Sequence, residues 1–187
     1  MKKINYEFSP SQIQSLVGKI FVKYRCDEFI GANVVNQIVG LFIEDKVISL
    51  RANFERVDYL GEPDDIAYMK FSFEKESDIT SAFVDTPQYD NPVNSKIISI
   101  KLFNDHQTLI KDGKVEYDAK VTRAILFKLE DEQELLFEKE NWVYSDCIEI
   151  NKGYSLENKL SDVNKFCEGW SDLGVEASCS RTISEFR

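Results

Sequence analysis

Ile38-Val39-Gly40-Leu41-Phe42-Ile43-Glu44-Asp45-Lys46-Val47-Ile48-Ser49-Leu50 decides the fold class. An apolar run from Ile38 to Ile43 meets the charged triplet Glu44-Asp45-Lys46, and a second β-forming run begins at once with Val47. Two short apolar runs bracketing a tight polar turn make a β-hairpin. The same period of two extends on both sides, from Lys19 to Glu76. Upstream, Ile20, Val22 and Tyr24 alternate with Phe21, Lys23 and Arg25. Downstream, Tyr68, Lys70 and Ser72 fall on one face of a strand, with Met69, Phe71 and Phe73 on the other.

Before the first strand, Ser9-Pro10-Ser11-Gln12 places a capping serine, a proline at the first helical position and Gln three residues after the cap. Ile13, Leu16 and Val17 then form one apolar stripe, which predicts a short helix stopped at Gly18. Residues 85–95 hold two prolines and several turn formers and read as a linker. Beyond them Ile98, Ile100 and Leu102 alternate with Ser99, Lys101 and Phe103. Lys111-Asp112-Gly113-Lys114 makes a turn, Val121–Leu129 is strand-like, Glu130-Asp131-Glu132 turns, and Glu134–Phe137 returns. Another strand is expected at Cys147–Ile150. After Gly153, Leu156, Leu160, Val163 and Phe166 or Cys167 recur at helical spacing behind Ser155, predicting a C-terminal helix. The expected class is α+β: mainly antiparallel sheet, as a sandwich or half-barrel, with a short N-terminal and a C-terminal helix. The expected organisation is one domain over residues 1–187. Within it fall a β-half 19–84, a linker 85–95, a β-half 96–153 and a helical segment 154–187. The halves share an order that fits a degenerate duplication, and any meander of hairpins would share it too.

The 187 residues carry 33 acidic against 23 basic side chains, a net charge of −10. Such a field repels phosphate backbones and anionic lipid and attracts basic surfaces, so direct nucleic-acid or membrane binding is not expected. Solubility alone also accounts for acidity. The N-terminus has two lysines and no apolar stretch behind them, and Cys26, Cys147, Cys167 and Cys179 form no CxxC pair. Reduced thiols, a cytoplasmic address, a monomer and no cofactor or metal are the expectations.

Little in the sequence assembles into catalysis. His106 is the one histidine and sits in Asn104-Asp105-His106-Gln107, read as an exposed turn. There is no glycine-rich phosphate loop, nucleophile elbow or HExxH, so the chain is read as a non-enzyme. The informative residues are acidic. Asp58, Glu62, Asp64 and Asp65, with Tyr59, crowd one loop around Gly61 and Pro63. Glu130, Asp131, Glu132, Glu134, Glu138 and Glu140, with Trp142 close by, form a second group. Glu132, Glu134, Glu138 and Glu140 share parity on a strand and so predict one acidic face, costly unless water or a basic partner relieves it. Protection of an edge strand is an equally physical use of such charges.

The run Val39–Leu50, the small size and the acidic balance resemble bacterial immunity proteins of polymorphic toxin and contact-dependent growth-inhibition systems. The resemblance is one of style across residues 19–150 and transfers no functional residue. It implies a cytoplasmic protein that binds and neutralises a cognate basic toxin domain, often a nuclease. Two other readings remain at this level. One is a carbohydrate-binding β-module using Trp142, Tyr144 or Trp170 as stacking platforms, and the other an enzyme built around His106.

Overall fold

The computed structural model describes residues 3–140 and 143–187. In chain order its elements are β1 (Ile4–Tyr6), α1 (Pro10–Gln14), β2 (Ile20–Asp27), β3 (Val34–Asn36), β4 (Ile38–Ile43), β5 (Lys46–Tyr59) and β6 (Glu62–Glu74). They continue with β7 (Gln88–Lys111), β8 (Lys114–Leu129), β9 (Glu134–Lys139), β10 (Cys147–Gly153) and β11 (Val175–Phe186). The class is α+β with a predominantly antiparallel sheet, as the alternating patterns require. No helix among the described residues is long and apolar enough to cross a membrane.

The founding hairpin is β4–β5, paired from Ile38↔Arg51 to Ile43↔Lys46, so Glu44-Asp45 alone form the turn. The strands follow the order β3-β10-β9-β8-β7-β2-β4-β5-β6; β1 joins β8 in parallel and β11 joins β7. β3 passes through one residue, Gln37 (φ 49°), into β4. Gln37 N–H donates to Asp146 O at 3.0 Å while its carbonyl accepts from Ala52 N–H at 2.7 Å. The first strand of the path therefore continues covalently into one near its other end, which bends the sheet back on itself.

Inside it, Phe21 of β2 meets Phe127 of β8 edge-on at 5.1 Å, and Phe127 meets Phe137 of β9 at 6.0 Å. Ile13 of α1 and Leu16 of the turn that follows it are fully buried against this core, the lid predicted from their spacing. A second cluster lies where Ile66 and Tyr68 of β6 cover Leu109, Tyr117, Ala119 and Val121 of β7 and β8. Both faces of β6 are thus used, since Met69 points into the first core. A third, smaller cluster groups Phe103, Leu126 and Leu136 under Leu156.

Two segments differ from expectation. Residues 88–95 are not a linker: they open the 24-residue β7 and pair with β2 from Gln88↔Asp27 to Ser95↔Phe21. Pro92 is accommodated because β7 pairs with β8 and β11 only from Ile97 onward, so here its other edge is not in the ladder. Asn94 (φ 51°) lets the strand bend, and β7 serves both halves of the sheet. The expected C-terminal helix is three 3-10 turns, Leu156–Lys159, Val163–Cys167 and Ser171–Leu173, followed by β11. Extended backbone at Leu160 (ψ 138°) and Asp162 (ψ 131°) separates the first two turns, and Gly169 and Gly174, both at positive φ, flank the third. The helically spaced apolar residues instead anchor a strap to separate clusters: Leu156 and Leu160 to the third, Phe166 to the second.

Candidate partner-binding surface

The first acidic group is not a loop. β5 and β6 remain paired out to Tyr59↔Glu62, and only Leu60 and Gly61 form the turn. Their φ values of 56° and 88° are the positive pair that a two-residue hairpin turn matched to strand twist demands, and Gly61 supplies the second freely. The result is an arm reaching past the β4 pairing, which ends at Arg51. Directly paired residues share a face, so Asp58 and Asp65 lie on one side with Arg56, while Glu62 and Asp64 lie on the other. Asp58, Glu62 and Asp65 are exposed and Asp64 half-buried. Arg56 meets Asp65 at 3.5 Å, and Asp64 accepts the Asp65 N–H at 2.8 Å. The arm carries four carboxylates against a single arginine among Arg56–Asp65.

The second group divides. Glu130, Asp131 and Glu132 are exposed on the β8–β9 turn, where Glu132 pairs with Lys128 at 3.2 Å. Glu134 and Glu138 do share a face of β9, as parity requires, but that face is covered by the strap. Glu134 accepts the Leu156 N–H at 2.7 Å, and Glu138 accepts the Ser161 N–H at 3.2 Å. Glu138 is 1% exposed, and burial pushes its carboxyl above the usual range against the opposing Ser161 bonds. Glu140 takes the Ser145 hydroxyl at 2.6 Å. Glu134, Glu138 and Glu140 are therefore occupied inside the molecule: side-chain parity is local, whereas what covers a face depends on residues twenty positions away. Trp142 lies outside the described residues.

His106 is in the middle of β7, and its Nε2 lies 2.8 Å from Asp118 Oδ1 across the sheet. The polar run around it reflects two faces. Asp105 and Gln107 are buried on one, while His106 is exposed on the other. Asp105, missed as a structural centre in the sequence, binds Arg181 at 2.6 and 2.9 Å and Arg123 at 3.4 Å. Arg181 also donates to Ser161 O at 2.9 Å, which ties β11, the strap and β7 together. Beside this network Gln107, Tyr117, Arg123 and Lys139 line a cavity of about 10 Å³, at the lower limit of what admits one water. The only sequence signal for it was the pairing of unlike charges far apart in the chain, which composition does not reveal.

Two of the three stacking platforms proposed for carbohydrate, Tyr144 and Trp170, are engaged in packing. Trp170 donates its indole N–H to Phe166 O at 2.6 Å, and both Trp170 and Tyr144 pack against the second cluster. No family model matches the chain, and neither a curated protein nor a solved structure matches it. Fold and surface together define an acidic, mainly antiparallel sheet protein whose β5–β6 hairpin packs Val57 and Leu60 on the second cluster and carries four carboxylates beyond the β4 ladder.

Proposed function

We propose that this chain is an acidic immunity protein that binds a cognate basic toxin domain, a nuclease by preference, and neutralises it in the cytoplasm. The observation that carries the reading is the β5–β6 arm: Asp58, Glu62, Asp64 and Asp65 sit on a fully paired hairpin that extends beyond the β4 ladder. Carboxylates so presented stand in a basic cleft where a nucleic acid's phosphates would. The −10 net charge adds long-range steering toward such a surface.

Calorimetry against the product of the gene adjacent to this one tests the reading. Nanomolar binding is expected, with association slowed by added salt, and co-expression is expected to rescue cells producing the toxin. Absence of both heat and rescue removes it.

A further inference from the structure

The end of the sheet from which the arm leaves carries a second feature. Ile38↔Arg51, Cys26↔Val39 and Asp27↔Gln88 mark that end in three adjacent ladders. Beyond it lie the turn 28–33 and the segment 79–87. Asp27, 3% exposed, accepts Ser81 Oγ at 2.6 Å and Gln88 Nε2 at 3.0 Å, so one buried carboxylate, next in the chain to the turn 28–33, fastens the stretch 81–88 beside it. Phe29 and Tyr89 line one shallow cleft. Ile30, Phe83 and Tyr89 are about half exposed, and Val84 is 90% exposed.

Single exposed apolar residues are ordinary; several gathered at one corner mark a contact surface. Exposed Glu28 and Asp85 stand among them, whereas Asp90 is neutralised by Lys23 and Arg25 at 2.6 Å each. The corner is thus apolar with an acidic margin, the complement of an apolar side chain set in a basic surface. Only β4 separates β2 from β5. Two inter-strand steps are about 10 Å. Corner and arm root therefore fit within one standard interface footprint of about 800 Å² per partner.

We infer that Phe29, Ile30, Phe83, Val84 and Tyr89 form the apolar anchor of the interface whose acidic arm does the steering, and that the basic partner presents an apolar side chain to it. This rests on the partner reading above. Charges govern how fast the two meet, and the desolvated apolar contact governs how long they stay together.

The probe is the toxin domain sought in the product of the adjacent gene, inactivated at its catalytic centre and immobilised for kinetic binding. The double variant Phe83→Ser/Val84→Ser keeps the charge and alters no buried residue. It is expected to dissociate at least ~10-fold faster, with association within about 2-fold of wild type. Tyr89→Ser, as a second variant, is expected to move in the same direction. Glu62→Lys/Asp65→Lys is expected to slow association and leave dissociation within about 2-fold. Unchanged dissociation in both corner variants overturns this inference and leaves the partner reading standing. A wild-type protein that does not bind the toxin domain overturns both.

Discussion

Lys139 and Arg123 donate to the same oxygen, the Glu140 carbonyl, at 3.0 and 2.7 Å. Burial, together with that neighbouring guanidinium, brings the Lys139 amine down to about 7 from 10.5. Between those values the unfolded chain holds a proton that the folded chain has shed, so stability rises with pH, by at most about 1.4 kcal/mol per unit. The opposite sign applies to Cys26 and Cys179, raised by burial from 9.0 to about 11 and about 12. Above their ordinary value the unfolded chain loses protons that the folded chain keeps, and stability falls. Urea unfolding should therefore show a maximum near pH 9, with the rise from pH 7 abolished in Lys139→Met. An identical rise in the variant would assign it to another group.

At the scale of elements, the segment 75–87 crosses the outer face of β4, held by Arg25 on Glu76 and Asp27 on Ser81 and packed through Ile79 on Gly40. A Cβ built on Gly40 would lie 2.5 Å from Ile79 Cγ2, and Ile79 is itself buried. Glycine at 40 thus marks a close approach within a strand and does not serve backbone freedom. Gly40→Ala should cost about 1–3 kcal/mol by overpacking. Adding Ile79→Ala should recover part of that loss, measured as coupling in a double-mutant cycle by thermal unfolding. Strictly additive effects would show that the segment is seated elsewhere. The same segment carries Phe83 and Val84 to the corner proposed as anchor, so its seating also bears on binding.

Across the whole molecule, Asp105 joins parts distant in sequence: β7, Arg123 of β8 and Arg181 of β11, with the strap drawn in through Ser161. Removing one member of a buried ionic cluster leaves its partners' charge uncompensated. Asp105→Asn should destabilise by about 3–5 kcal/mol, read as a lower urea midpoint at unchanged slope. A loss below about 1 kcal/mol would mean that β11 is held by its ladder alone. The sequence by itself determined what is local: the hairpin at Ile43-Glu44-Asp45-Lys46, the proline-led turn of α1, though Ser9 makes no side-chain cap, the two faces of β6 and the acidic balance. Each follows from side-chain period or turn chemistry within a dozen residues. Tertiary structure alone decided which faces are covered. It turned Glu134 and Glu138 from a candidate docking face into acceptors for the strap, and drew Pro92 into an edge strand. It also recruited Val175–Phe186, whose inward Val175, Ala177, Cys179 and Arg181 alternate with polar residues too weakly to announce a strand. Burial depends on segments far apart in the chain, and no local pattern records which of them will meet.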